Sequence, residues 1–234
     1  MMDRKSLLRE LENKLVMDFK NIKILDTALT HSSYANQKKD VEYNERLEFL
    51  GDSVLQLSIS EYLYLNYIDK TEGELTKMRA LIVCENSLHE IARGWDLGKY
   101  IKMSKGEELT GGRTRVSILA DCVEAIIAAI YIDAGIEVAK KFILTNFNTM
   151  INKAIKNEII LDYKTKLQEL IQQQENSVIS YNLIGFEGPP HRRKFFTEVS
   201  INDKVSGKGV GFTKKESEQN AAKEALILLE VIHE

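Results

Sequence analysis

The sequence of 234 residues contains only two cysteines and two prolines, and it has no apolar run of membrane-spanning length. Cys84 and Cys122 are far apart, with no CxxC pair, which argues against a disulfide framework and a zinc site. We interpret both as buried free thiols in a reducing compartment. The first residues are charged and lack the apolar stretch of a signal peptide. We therefore expect a cytoplasmic protein with no membrane contact.

The sequence also lacks an excess of positive charge. It contains 35 acidic residues and 32 Lys and Arg, so the formal net charge is −3. Taken alone, this charge argues against nucleic-acid binding through bulk positive charge, so such binding would have to depend on local clusters. Apolar residues make up 44% of the chain, enough for one sizeable core or two smaller ones, and the length favours two domains. Helix-favouring residues dominate everything before Pro189 and Pro190. The expectation is a multidomain protein with a helical first part.

Apolar residues at helical spacing predict a helical bundle in this first part. A long helix is expected to begin near Asn44, and a further one at Thr71, where Glu74 stands at capping-box spacing. The apolar stripe of the long helix consists of Leu47, Leu50, Val54 and Leu57. The segment VSILADCVEAIIAAIYIDAG is expected to form the central helix of the bundle, and EVAKKFILTNFNTMINKAIK one closing helix.

After about Asn157 the pattern changes. An amphipathic helix, LDYKTKLQELIQQQ, is followed by three segments typical of strands and by a last helix, KKESEQNAAKEALILLEVI. A turn at Asn202 and Asp203 is expected to join the second and third strands. The order predicts a small α+β domain with the arrangement α-β-β-β-α.

Three acids are expected on one face of the long helix, because Glu45, Glu48 and Asp52 are spaced by three and four residues. Part of this face should be enclosed by apolar neighbours, and an enclosed acid cluster favours a bound cation. Asp121 and Glu124 lie one turn apart on the central apolar helix. Uncompensated charges there would cost on the order of several kcal/mol.

Oxygen ligands without histidine or cysteine favour Mg²⁺ or Mn²⁺ over zinc. Such a site suits phosphodiester hydrolysis, since a metal ion activates water and stabilises charge on the oxygens of attack and departure. The spacing also allows acids that are solvated or paired with Arg46 or Arg79. The two interpretations are equally supported for the first cluster, whereas the apolar surroundings of Asp121 and Glu124 favour the metal.

Five motifs of the first part resemble, in order, those of the ribonuclease III family. NERLEFLGDSVL is similar to the family's signature motif, LTHSSYAN precedes it, and GELTKMRA, SKGEELTGGR and ILADCVEAIIAAIYID follow it. The segments DYKTKLQEL, GPPH and KKESEQNAAKEAL resemble a double-stranded-RNA-binding domain. The resemblance implies an all-α endonuclease domain followed by an α+β RNA-binding domain. The expected limits are 1–156 for the catalytic and dimerisation domain, 157–160 for a linker and 161–234 for the RNA-binding domain.

The activity implied by the resemblance is Mg²⁺-dependent hydrolysis of double-stranded RNA by a homodimer. The products would carry 5′-phosphate and 3′-hydroxyl ends with short 3′ overhangs, and Mn²⁺ would substitute for Mg²⁺. We expect no organic cofactor. The substrates would be precursors of ribosomal RNA and other structured transcripts, in mRNA and tRNA processing.

The resemblance also assigns roles to acids and to one aromatic residue. It implies that the metal ligands are Glu48, Asp52, Asp121 and Glu124. It implies that the catalytic residues are Asp52, Glu124 and Glu45, the last near the substrate and the subunit interface. Phe49 matches the residue that the family inserts into a pocket of the second subunit.

The RNA contacts implied by the resemblance are Thr165, Gln168, Glu169, His191, Lys214 and Lys215. The first three would reach 2′-hydroxyls in one minor groove, and His191 would enter the next. Lys214 and Lys215 open the last helix, so they and its N-terminus can face phosphates. Without the surrounding motif, a solvated helix start would be the simpler interpretation of the two lysines.

Two positions depart from the family's pattern. Val116 stands where the family usually has an acid, and Ala128 stands where a glycine is common. Neither departure removes a ligand, so we expect an effect on rate or metal preference.

Two other functions are less compatible with the sequence than a nuclease. A non-cleaving binder of double-stranded RNA could keep this fold while losing the acids, but all four expected ligands are present. A hydrolase of small phosphate esters is disfavoured by the appended RNA-binding segment.

Overall fold

The computed structural model describes residues 3–38, 40–156, 162–172, 177–189 and 193–232. The chain forms two compact units, Met1–Ile159 and Ile160–Glu234. The first unit is helical, and the second has the order helix, three strands, helix. The predicted fold class is therefore confirmed, while the limits of the linker stay a prediction.

The helices of the first unit are α1 Arg4–Leu15, α2 Ile22–Ala28, α3 Ser32–Ala35, α4 Glu45–Asn66, α5 Glu72–Ile82, α6 Glu85–Gly94, α7 Lys105–Leu109, α8 Val116–Ala134, α9 Ile136–Asn146 and α10 Asn148–Ile155. Single 3₁₀ turns follow α6 and α7, at Leu97–Lys99 and Gly112–Thr114. Helices made only of the described residues are too short or too polar to cross a membrane.

The boundaries of these helices follow local chemistry. The Thr71 side chain accepts from the Glu74 N–H while the Glu74 carboxylate accepts from the Thr71 N–H, so the predicted capping box is confirmed. Asn44 precedes α4, as expected, although its side chain makes no capping hydrogen bond. The prediction of one closing helix is wrong, because the chain breaks at Phe147 into α9 and α10. Phe147 is fully buried, and its packing takes precedence over helix continuity.

Helix α8 forms the centre of the first unit, with α2, α4, α6 and α9 packed around it. Its side chains from Cys122 to Ile130 are fully buried except that of Glu124. A helix that is apolar on all sides is typical of the middle of a bundle. Cys122 is buried as predicted, whereas Cys84 is partly exposed and contacts the Leu81 carbonyl oxygen.

One residue of the predicted stripe on α4 lies outside the core. Leu47 and Val54 are buried, but Leu57 is 57% exposed. Helical spacing placed Leu57 with the core because it cannot distinguish a core-facing stripe from an apolar surface beside it.

α4 and α8 approach each other closely at Gly51. A Cβ atom at this position would lie 1.8 Å from the carbonyl oxygen of Glu124. Only a residue without a side chain allows the two backbones to come so close. The contact therefore sets the distance between the acids of α4 and those of α8.

The second unit contains α11 Tyr163–Gln172, the strands β1 Ile179–Glu187, β2 Lys194–Ile201 and β3 Lys204–Gly211, and α12 Lys214–Leu228. The sheet is antiparallel with the order β1-β2-β3. Asn202 and Asp203 have φ of 50° and 63°, which suits the tight turn predicted there. Ala221 and Ala222 of α12 are fully buried, as close packing on the sheet requires.

Replacement of Gly51 tests how far the first unit depends on the approach of α4 to α8. We expect Gly51→Ala to lower the free energy of unfolding by about 1–3 kcal/mol, because the helices must separate. Gly73→Ala is the matched control, since an added Cβ there meets nothing within 4 Å and alanine favours the helix. Thermal unfolding followed by far-UV circular dichroism compares the two. Equal unfolding temperatures would contradict this account of the crossing.

Candidate functional site

An acidic cluster lies where α4 crosses α8. One carboxylate oxygen of each of Glu48, Asp121 and Glu124 lies within 4.8 Å of the other two. All three side chains are partly buried. The first turn of α4 supplies Glu48, and two turns of α8 supply the others, so the Gly51 contact brings them together.

Asp52, predicted as a fourth ligand, does not belong to this convergent trio. The Gln56 side-chain amide, one helical turn away, donates to both of its carboxylate oxygens at 2.9 and 3.0 Å. Asp52 is nevertheless close enough to the cluster to raise the pKa of Glu124 through its charge. Its role as a ligand stays a prediction.

Burial and mutual repulsion raise the pKa values of the clustered acids. Burial, followed by the charges of Asp52, Glu48 and Asp121, raises the pKa of Glu124 to about 8. Burial and then the charge of Asp121 raise the pKa of Glu48. Burial and then the charge of Glu85 raise the pKa of Asp121. The protein itself therefore does little to stabilise the negative charge of these three carboxylates.

The described residues do not form the local ion pairs that were the alternative to a metal site. No Lys or Arg among them makes an ion pair with Glu48, Asp121 or Glu124. Arg79 donates instead to the Ser60 hydroxyl at 2.9 Å, and Arg46 is exposed. Several oxygen donors without a cation are the donor set that suits Mg²⁺ or Mn²⁺.

Two polar residues beside the acids were missed by sequence reasoning. Gln56 fixes the orientation of Asp52, and the i, i+4 spacing of the pair on α4 was a signal that could have found it. His31 acts on Asp121 by charge, lowering its pKa against the effect of burial. Its Nδ1 accepts from the Ser33 N–H at 3.2 Å, which orients the ring.

Glu45 and Phe49 project from the same end of α4 into solvent. Glu45 is exposed and lies outside the convergent trio. Phe49 is 79% exposed, so it is not a core residue of this unit. The surface next to it is an apolar groove of about 680 Å³, lined by Leu50, Ser53, Val54, Leu57, Tyr131, Ile132, Gly135 and Ile136.

Three of the predicted RNA contacts lie on one face of α11. Thr165, Gln168 and Glu169 are exposed at positions i, i+3 and i+4. The Thr165 hydroxyl donates to the Asp162 carboxylate at 2.9 Å, which leaves its oxygen able to accept a hydrogen bond. Lys214 and Lys215 are exposed in the first turn of α12. His191 lies outside the described residues.

The two departures from the expected pattern occupy different positions. Val116 is the first residue of α8 and is partly buried, whereas Ala128 is fully buried in its middle. Neither side chain replaces a member of the acidic cluster.

The helical unit and the α+β unit each match a known family. The family model described as Ribonuclease-III-like matches residues 21–151, and the Double-stranded RNA binding motif matches residues 163–229. Ribonuclease 3 of Clostridium tetani is 67% identical over 224 residues, which are 96% of this chain and 95% of that protein. Ribonuclease 3 of Clostridium beijerinckii is 66% identical over 227 residues, which are 97% of this chain and 98% of that protein.

A solved structure agrees with the helical unit. The nuclease domain of ribonuclease III from Campylobacter jejuni is 45% identical, with a TM-score of 0.58, and covers 61% of this chain and 96% of that one. Two family models, two full-length relatives and one structure thus agree. The chain belongs to the ribonuclease III family, as an endoribonuclease with a double-stranded-RNA-binding domain.

Proposed function

We propose that the acidic cluster holds Mg²⁺ and that the chain cuts both strands of an RNA duplex by hydrolysis. The convergence of Glu48, Asp121 and Glu124 without a protein cation carries this proposal. The products would be 5′-phosphate and 3′-hydroxyl ends with short 3′ overhangs. Mn²⁺, with the same preference for oxygen, is expected to substitute.

The residues of the chain would hold the metal and orient it. Glu48, Asp121 and Glu124 supply one oxygen each, and Asp52, oriented by Gln56, adds a further negative charge beside them. Bound Mg²⁺ supplies a Lewis acid that polarises a phosphoryl oxygen and lowers the pKa of water. Glu45, exposed at the start of α4, would face the substrate. A protein nucleophile is not needed.

We propose that the α+β unit binds the duplex through α11 and the start of α12. The exposed face with Thr165, Gln168 and Glu169 would meet 2′-hydroxyls, and Lys214 and Lys215 would meet phosphates. His191 is proposed as a further contact. Precursors of ribosomal RNA and other structured transcripts in the cytoplasm are the proposed substrates.

We propose that two copies of the chain associate through the Phe49 surface. Phe49 projects from α4 next to the apolar groove that Leu57 and Ile132 line, so a twofold axis would place each Phe49 in the groove of the partner. The Campylobacter jejuni nuclease domain is described with a region involved in dimer formation, which supports the proposal. An exposed aromatic anchor beside a groove is typical of an interface.

Replacement of Glu124 separates cleavage from binding. We expect Glu124→Gln to lower the rate of duplex cleavage in Mg²⁺ at least about 100-fold, equivalent to roughly 2.7 kcal/mol, because it removes a charged ligand. Duplex affinity is expected to stay within about twofold. Glu137→Gln, which changes an exposed acid of α9, is the matched control and should leave both quantities unchanged. Cleavage by Glu124→Gln at the parent rate would refute the proposed site.

The raised pKa of Glu124 predicts how stability changes with pH in the absence of metal. A folded-state pKa of about 8 exceeds the ordinary value of 4.5, so the stabilising contribution is complete below 4.5 and is lost as pH rises through 8. In EDTA at pH 8.5 we expect Glu124→Gln to unfold a few degrees above the parent, reflecting about 1–3 kcal/mol after allowance for solvent screening. The difference should shrink towards pH 4.5.

Differential scanning fluorimetry at several pH values, with EDTA or Mg²⁺, measures this effect. Mg²⁺ should raise the unfolding temperature of the parent more than that of Glu124→Gln. A gap between the two proteins that does not depend on pH would show that the pKa of Glu124 is not raised in the folded protein.

The proposed dimer is tested by replacing its aromatic anchor. We expect Phe49→Ser to shift the protein towards the monomer, with a dissociation constant raised at least about 100-fold, because a buried aromatic anchor contributes about 2–4 kcal/mol. Leu109→Ser is the matched control, since Leu109 is 88% exposed but lies on α7. Analytical ultracentrifugation gives the masses. A monomeric parent protein at all concentrations would exclude the dimer.

A further inference from the structure

Arg193 and Phe186 form a stacked pair in the α+β unit that the proposed RNA contacts do not include. The Arg193 Cζ atom lies 4.4 Å from the centre of the Phe186 ring. Phe186 also contacts the ring of Phe195, its partner across β1 and β2, with ring centres 6.4 Å apart. These three residues are called the Arg–Phe cluster below.

The Arg–Phe cluster lies on the helix-covered face of the sheet, at the end where α12 begins. Phe195 pairs directly with Gly211 of β3, and directly paired residues point to the same face. A Cβ atom on Gly211 would lie 2.6 Å from the Ser217 nitrogen and 2.7 Å from the Glu216 Cβ. The first turn of α12 therefore covers this end of the sheet.

Lys214 and Lys215 belong to that same turn. Neighbouring strands lie about 4.8 Å apart, so Phe186 on β1 is roughly 10 Å from Gly211 on β3. The Arg–Phe cluster and the two lysines thus lie at the same end of the domain, and together they form a wider surface. Phe186 is 56% exposed, which leaves this surface open to a ligand.

The charge of Arg193 is not compensated by other described residues. They form neither an ion pair nor a hydrogen bond with it, and its Nε atom is buried without a partner. A partly desolvated guanidinium without an acceptor is unfavourable. The stack on Phe186 restricts the side chain, so less entropy is lost when an anion binds.

We propose that Arg193, held by Phe186, contacts a phosphate of the RNA duplex and is a further binding residue of this protein. The inference rests on the proposed binding of double-stranded RNA by the α+β unit. A guanidinium suits phosphate because it offers two parallel N–H donors, and it can keep an aromatic face at the same time. Phe186 is then a positioning residue, which acts on RNA through Arg193.

The salt dependence of duplex binding tests the contact. The full chain carrying Glu124→Gln, which should not cut, is titrated with a perfectly paired RNA duplex at several NaCl concentrations. We expect Arg193→Gln to reduce the slope of log affinity against log salt by about 1, because one phosphate contact is lost. At moderate salt its affinity should fall about 3- to 10-fold.

Four variants separate a phosphate contact from a structural effect. Lys208→Gln is the matched control, since Lys208 pairs with Glu198 on the opposite face of the sheet and should leave the slope unchanged. Arg193→Lys keeps the charge and is expected to keep the slope while losing affinity, a pattern that unfolding does not produce. Phe186→Leu should weaken binding about 2- to 5-fold, whereas Phe186→Tyr keeps the ring and should bind like the parent.

An unchanged salt slope for Arg193→Gln, with duplex binding retained by the parent, would overturn the Arg193 contact alone. Absence of duplex binding by the parent would overturn the proposed function of the α+β unit and this inference with it. The two failures are therefore distinguishable.

Discussion

The repulsion between carboxylates at the crossing of α4 and α8 is the constraint on which the first unit depends. The middle of α8 is buried, and Glu124 stands among fully buried neighbours. Apolar side chains of similar size would make this contact more stable than acids do. The fold holds the acids together because other contacts, among them the apolar packing of α8 and the close approach at Gly51, outweigh their repulsion. A divalent cation bound between the carboxylates would reduce this repulsion.

Proton and metal compete for the same oxygens. With a pKa of about 8, Glu124 keeps its proton near neutral pH when no cation is present. A cation bound at the proposed site would have to displace that proton, so metal affinity would rise with pH and binding would release protons. In the proposed metal site, stability, metal affinity and activity would be linked through one cluster, and a change in any neighbouring charge would act on all three.

The sequence predicted those features that local chemistry decides. The capping box at Thr71, the turn at Asn202 and the apolar helix α8 depend on nearby residues, and each is present. The break at Phe147 and the exposure of Leu57 depend on what the rest of the fold packs against them, which periodicity cannot show. The motifs of the first unit identified the family. They did not predict how the acids are arranged in this chain.

The same limit applies to the acids. Spacing put Glu45, Glu48 and Asp52 on one helical face, yet only Glu48 converges with the acids of α8. Gln56 holds Asp52, and Glu45 is exposed at the first residue of α4, so the surroundings of each side chain differ from those of Glu48. Periodicity gives the face of a helix, whereas the crossing point decides which residues on that face meet a second helix.

In the α+β unit, the positions of individual cations matter more than the net charge, on which many RNA-binding proteins depend. Residues 161–234 contain ten Lys and Arg and eleven Asp and Glu, so the unit has no general attraction for RNA. In the proposed binding mode, affinity would come from a few cations at one end of the unit, where Gly211 lets the start of α12, with Lys214 and Lys215, approach the sheet. Fewer contacts make each one more important. Fixed cations also favour a ligand of defined shape, and an A-form duplex is recognised by its shape and backbone.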